Sequence, residues 1–439
     1  MQTKSGFLFG LGVGPPRRVD IPAGCGELNR MKKVASMVLA AGAGLFCAAV
    51  HAADWPNFRG PNHNGISSET GWLAKWPAEG PRQLWKTSVG VGYASIIVAN
   101  GHAYASGNNE AVATLCCLDA ETGSNLWKFS YPSDLYSVYN GPRGLGGTSG
   151  SPTIDGDRLY LMSGDGCLYA LEAKSGALVW SNNLAAGLDL AKPKWGFATS
   201  PLLQDNLLVL GVGGFGTAVD KTTGKVVWNS NKDMAGYSTP VPWSFNGAPA
   251  VAILSADTVY GVETKSGRQL WSFPFKTGNQ LNIADVIVSN NYFFASAAYN
   301  QGGAMFRLDG TNTAPVWVNK SFANQINSSV LVDGYLYGVA GTVNAGAATL
   351  KCVDFATGAE KWDFPGLGGG GLIAADHKII ILSDKGELAV GQASPESFVP
   401  ISRAQVFAAS CWTAPTLANG RIYCRNNKGD VVCLDISGH

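Results

Sequence analysis

Between residues 82 and 435, apolar and polar positions alternate in short runs stopped by Gly, Asn, Asp or Ser, a period-two pattern that predicts β-strands rather than helices. One phrase keeps returning. In Leu168-Tyr169-Ala170-Leu171-Glu172-Ala173-Lys174-Ser175-Gly176-Ala177-Leu178-Val179-Trp180, an alternating strand runs into a polar turn closed by Gly, and a tryptophan follows. Copies place Trp85, Trp127, Trp180, Trp228, Trp271, Trp317 and Trp362 at intervals of 42 to 53 residues, with turn glycines at Gly123, Gly176, Gly224, Gly267 and Gly358. A period in the forties built of short strands predicts a propeller, one repeat to a blade. In the turn, acid and Thr or Ser side chains can hold backbone amides while Gly takes a positive φ. The indole beyond it can lie on the neighbouring blade and bond its edge through the single N–H.

Blades are predicted to open near residues 92, 147, 196, 236, 282, 326, 370 and 411. The final phrase, Cys433-Leu434-Asp435-Ile436-Ser437-Gly438, stops before its tryptophan strand, while Gln83-Leu84-Trp85-Lys86 has no blade before it. Pairing the two completes one blade and removes two sheet edges. The expected fold is all-β: an eight-bladed β-propeller of four-stranded antiparallel blades, closed by its terminal strands. The seventh copy, Gly386-Glu387-Leu388-Ala389-Val390-Gly391, has no tryptophan after it, which predicts the weakest joint there.

The phrase Asp/Glu-x-x-Thr/Ser-Gly-x-x-x-Trp resembles the tryptophan-docking repeat of the pyrroloquinoline quinone (PQQ) propeller superfamily over about residues 82 to 435. That superfamily includes quinoprotein alcohol dehydrogenases and the outer-membrane lipoprotein of the barrel-assembly machinery, so the resemblance implies fold more than function. The segments Asp54-Trp55-Pro56-Asn57-Phe58-Arg59-Gly60, Gly141-Pro142-Arg143, Trp195-Gly196-Phe197 and Cys411-Trp412-Thr413-Ala414-Pro415 are similar to stretches of exported PQQ-like propellers of environmental bacteria.

Composition sharpens the picture at the N-terminus. Residues 1–30 show no periodicity and read as a non-native upstream extension. Met31-Lys32-Lys33, the apolar run Val34 to Val50 and the small-residue site ending at Ala52 have the three parts of a secretory signal, residues 31–52. The run is short for a membrane anchor, and a periplasmic or secreted protein is expected. Residues 53–81 form a leader segment expected to pack on the propeller, residues 82–439. The formal net charge is +1, and beyond residue 52 acids slightly outnumber bases, which predicts no nucleic-acid partner.

Seven cysteines follow the signal: Cys116, Cys117, Cys167, Cys352, Cys411, Cys424 and Cys433. A two-residue turn at Lys428-Gly429 would set Cys424 opposite Cys433, a candidate disulfide. Cys116-Cys117 lies inside a repeat strand, where neighbouring side chains face opposite ways, so a bridge between them would break the ladder.

An insertion, residues 131–147, is expected to fold over one mouth of the channel, which the segments preceding the inner strands would ring. Arg143, Trp195, Tyr237, Asn282, Asn327 and Trp412 form the candidate ligand funnel, with a cation and flat aromatic faces suited to an anionic or planar ligand. Catalytic signatures are largely missing. Gly211-Val212-Gly213-Gly214-Phe215-Gly216 leads into a strand rather than a helix and reads as a wide turn, not a dinucleotide loop. No catalytic residue and no metal site is assigned. The leading expectation is a monomeric, non-catalytic binding or scaffold ring that takes a partner protein, glycan or small ligand. A small PQQ- and Ca²⁺-dependent oxidoreductase and an outer-membrane assembly factor stand as alternatives, resting on the resemblance.

Overall fold

The computed structural model describes residues 53–135, 147–278, 280–309, 314–342 and 348–438. The upstream extension, the signal segment and Arg143 lie outside the described residues. The first blade consists of strands Ile97–Ala99, His102–Asn109, Val112–Asp119 and Asn125–Pro132. Six more antiparallel sheets follow over 153–183, 202–229, 241–274, 287–319, 330–364 and 370–405. The eighth joins Thr416–Ala418, Arg421–Arg425 and Asp430–Asp435 to Arg82–Ser88, with Arg82 opposite Asp435 and Ser88 opposite Asp430. The chain is thus an eight-bladed β-propeller closed by its first and last repeat strands.

In seven of the eight blades the first strand, by the channel, is the shortest; in the seventh all four have six residues. Ile97–Ala99 is buried at every position, whereas the fourth strand, Asn125–Pro132, shows the alternation of a half-exposed sheet margin. Every third-to-fourth strand pair carries a bulge at the turn-proximal end of the fourth strand. A bulge bends its strand and re-aims the residue after it. In seven of the eight pairs that residue is the tryptophan, and in the seventh blade it is Ser402.

Trp85 Nε1 donates to Ala120 O at 3.0 Å, Trp127 to Ala173 O at 3.1 Å, and Trp180 to Lys221 O at 3.1 Å. Trp228, Trp317 and Trp362 reach Thr264 O, Phe355 O and Ser394 O in the same way. Each acceptor belongs to the turn of the following blade. The turn glycine lies flat on the indole: a methyl on Gly224 would come within 2.5 Å of Trp180 Cε3, and one on Gly176 within 2.4 Å of Trp127 Cε3. Trp271 differs. Its N–H makes no hydrogen bond, and its ring sits instead among Trp243, Phe273 and Phe293.

The leader does more than rest on the ring. Trp55 exchanges two backbone hydrogen bonds with Val98 on the first blade's inner strand, and Pro56 O accepts from Ile154 N on the second. Arg59 Nη2 donates to Ser329 O on the sixth blade, and Ile66–Ser67 runs parallel to the inner strand of the seventh as a fifth strand. Glu69, fully buried, accepts from the backbone N–H groups of Ala53, Asn419 and Gly420. The segment therefore crosses the channel and ties inner strands on opposite sides of it.

One expectation needs correction, and one joint has a filling that the repeat does not supply. After the seventh blade the leader stands in for the missing tryptophan. Leu73 N donates to Ile436 O at 2.8 Å, the carbonyl equivalent to those taken by tryptophans elsewhere, and buried Trp72 and Trp76 fill the space beside it. Trp76 N also bonds Ser402 Oγ on the outer strand of the seventh blade. The leader thus supplies the aromatic filling that the repeat lacks. Cys424 and Cys433 do not face each other: Cys424 pairs with Val432, Cys433 with Tyr423, and both are free thiols. The turn between their strands is longer than two residues, with Asn426 N donating to Asp430 O, and this shifts the register by one. Cys116 and Cys117 occupy successive positions of an unbroken ladder opposite Ala105 and Tyr104.

Candidate binding site at the channel mouth

The segments that lead into the inner strands are stitched into a belt. Ser95 N donates to Ser151 Oγ, Ser151 N to Ser200 Oγ, Ser200 N to Thr239 Oγ1, Thr239 N to Asp285 Oδ1, and Asp285 N to Ser328 Oγ, all between 2.8 and 3.0 Å. Each of these residues stands two positions before the first strand of its blade. Five small acceptors at a fixed offset join six blades round the axis. Four of the five are hydroxyls. The other is the carboxylate of Asp285.

Above this belt and the leader lies a cavity of about 270 Å³, walled by Tyr93, Trp195, Tyr237, Tyr299, Ile326 and Trp412, with Phe58 of the leader and Asp285 also in its lining. Seven blades contribute to it. Tyr93 and Trp412 stack with ring centroids 5.4 Å apart and planes 22° from parallel. Asn327 Nδ2 donates to Gly370 O and Trp412 O, which fixes the main chain that carries the Trp412 ring. Trp195 N donates to Tyr237 Oη, and Gln325 Nε2 to Tyr299 Oη at 2.8 Å. Tyr299 is held at φ 59°, in the left-handed region that a bulky residue seldom enters. Such strain persists only where surrounding contacts enforce it.

Of the funnel residues expected from sequence, Trp195, Tyr237, Asn327 and Trp412 meet in this lining. Asn282 does not. It is fully buried and its amide donates to the carbonyls of Ser255, Ala256 and Phe275, so it braces the loop behind the wall. Sequence reading missed Asp285, the one charged side chain among the described lining residues. Its signal was present: an acid two residues ahead of a predicted inner strand, where sister repeats have Ser or Thr.

Arg59 Nε lies 3.8 Å from Asp285 Oδ2, both side chains being buried. That distance supports attraction but no hydrogen bond. Burial pushes the Asp285 carboxyl up to about 6, against the pull of Arg59 and the Thr239 amide. Burial likewise lowers the Arg59 guanidinium from its ordinary value, and pushes the Tyr93 phenol up to about 12. Among the described residues no three His, Cys, Asp or Glu side chains gather as metal ligands.

The repeat, the bulged tryptophan strands and the terminal closure define a PQQ-type propeller. The chain belongs to the family described as outer membrane protein assembly factor BamB, which matches residues 69–185 and 113–364. It is 30% identical over 233 residues to the outer membrane protein assembly factor BamB of Moranella endobia, covering 48% of this chain and 54% of that one. It is 24% identical to the protein of that name from Yersinia pestis, over 58% of this chain and 65% of the relative. The chain therefore spans about half to two thirds of the length of these relatives. Among solved structures it resembles BamB from Moraxella catarrhalis, with a TM-score of 0.59 and 16% identity over 81% of this chain and 99% of that one. Quinohemoprotein alcohol dehydrogenase from Comamonas testosteroni is also similar, with a TM-score of 0.63 and 15% identity over 88% and 81%. At these identities the structural likeness speaks for the fold alone.

Proposed function

We propose that this protein is an exported, non-catalytic scaffold that holds a partner protein at the mouth bearing the aromatic cavity, as an assembly factor akin to its relatives. The observation that carries the reading is the build of that mouth. Belt hydrogen bonds and the leader lock the inner strands, so the aromatic wall is preorganised and little order is lost on binding. Aromatic side chains on a rigid frame are the usual anchors of protein contacts.

The family's other chemistry suits the lining less well. Calcium takes about six to eight oxygen ligands, whereas Asp285 is the sole carboxylate among the described cavity residues and is already engaged by Arg59 and Thr239 N. An anionic quinone would meet that carboxylate without a described cation facing it.

The test is site-specific photocrosslinking in the native host. A crosslinker at Trp195 should trap a discrete protein, whereas one at Asp157, exposed and at a hairpin turn, should trap none. Equal labelling from both positions would refute a partner at the mouth.

A further inference from the structure

Part of the polar lining of the cavity is tied to its frame. Thr239 Oγ1 accepts from Ser200 N and Ser328 Oγ from Asp285 N. Thr413 Oγ1 donates to Tyr93 O, and both Asn327 Nδ2 hydrogens are used. The lining also presents aromatic rings and one carboxylate.

Asp285 is also more than the belt requires. Ser95, Ser151, Ser200, Thr239 and Ser328 occupy the same position in five other blades, and in four of them, at Ser151, Ser200, Thr239 and Ser328, the hydroxyl accepts the neighbouring amide. Asp285 Oδ1 makes that bond at 2.8 Å, while among the described residues Oδ2 has only the 3.8 Å approach of Arg59 Nε. Arg59 directs Nη2 to the carbonyls of Asn64 and Ser329 and is not part of the cavity wall. The negative end of the pair thus faces the cavity and the positive end lies beneath it. One aromatic of the wall already attracts a cation: Lys194 Nζ sits 5.3 Å from the Trp195 ring centroid.

We propose that the mouth cavity binds a small organic cation with its charge spread over methyl groups, a quaternary ammonium, held by the Tyr93, Trp412 and Tyr299 rings and the Asp285 carboxylate. Such a cation needs no hydrogen bonds and loses little hydration, and aromatic faces attract it electrostatically. A cavity of about 270 Å³ has room for a group of this size. Tyr299, held at φ 59°, is a further aromatic ring of the same lining. The inference rests on the mouth being the binding face, and it adds a ligand class to that reading.

The probe is tetramethylammonium chloride, titrated into the chain from Ala53 onward by calorimetry against sodium chloride of equal ionic strength. Tert-butanol serves as a neutral shape analogue and acetate as an anion. Saturable binding of tetramethylammonium is expected, tighter than tert-butanol by roughly tenfold or more, with none for acetate. Asp285→Ser keeps the belt acceptor and should remove that preference for charge. If this variant does not fold, Trp412→Leu carries the same test, since it should weaken the cation more than the alcohol. Equal affinity for cation and alcohol, preference for acetate, or no saturation with tetramethylammonium would overturn the proposal. Those results would leave the protein partner untouched, because that reading is decided by the crosslink.

Discussion

The contact between turn glycine and indole makes a demanding prediction at Gly224. This residue has φ 70°, and an added Cβ would stand 2.5 Å from Trp180 Cε3 and 2.8 Å from Cδ2. Carbon atoms prefer roughly 3.5–4.0 Å. The indole cannot retreat without stretching its 3.1 Å hydrogen bond to Lys221 O. Gly224→Ala therefore meets two costs, about 1–2 kcal/mol for a left-handed alanine and about 1–3 kcal/mol for overpacking. Gly101 is the internal control, with φ 76° and nothing within 4 Å of where a methyl would stand, so Gly101→Ala meets only the first. The gain from a stiffer unfolded chain is common to both. Urea unfolding followed by tryptophan fluorescence and far-ultraviolet circular dichroism should show Gly224→Ala to be less stable than Gly101→Ala by about 1–3 kcal/mol. In a Trp180→Leu background the difference should shrink, because the clashing ring is gone. Equal costs in the parent chain would refute the idea that these glycines are there to seat tryptophan.

Three further outcomes follow from buried groups. Glu69→Ala should orphan the N–H groups of Ala53, Asn419 and Gly420, costing about 3 kcal/mol or more and exposing the leader to limited proteolysis while the blades stay resistant. A chain starting at Ala53 would present its ammonium to the Glu69 carboxylate, 3.1 Å from the Ala53 nitrogen; in urea unfolding it should be more stable than one carrying an extra residue, by about 1–2 kcal/mol. Asp285 has a folded pKa of about 6 against an ordinary 3.8, so between those values the native state keeps a proton that the unfolded chain has lost. Its contribution to stability therefore falls as pH rises through that window, by about 3 kcal/mol, and is flat above it. Subtracting the profile of Asp285→Asn from the parent should reveal that slope; a difference independent of pH would show that Asp285 is not buried as described.

Much of the ring was legible because each blade repeats one physical solution. Gly176 and Trp180 are local in sequence, and the strand, turn and docking ring they encode need no distant partner to be recognised. The bulges were not legible, since nothing in Leu178-Val179-Trp180 announces an extra residue. The leader was hidden for the opposite reason: Arg59 and Glu69 meet acceptors and donors hundreds of positions away, and a segment without alternation gives no period to follow. A clue existed in the mismatch between one blade lacking its tryptophan and two spare tryptophans, Trp72 and Trp76, upstream. For Cys424 and Cys433, the loop was set one register too tight. At the mouth, aromatic residues could be placed by their offset from the inner strands, but Asn282 turned inward because three carbonyls needed its amide. The belt itself became visible only when the blades were laid side by side.

The closing pair of strands also sets an order of events in time. Arg82 must wait for Asp435, 353 positions later, before its strand has a sheet to join. At roughly 5–20 residues per second of synthesis that delay is on the order of twenty seconds to a minute, longer if the chain crosses a membrane unfolded. Throughout that time the strand is a free ribbon open to any passing edge. Its charges are suited to the interval: Arg82 and Lys86 discourage stray pairing while they are alone, and on closure they meet Asp435 at 2.7 Å and Asp430 at 3.2 Å. The latch is thus guarded by the side chains that later fasten it.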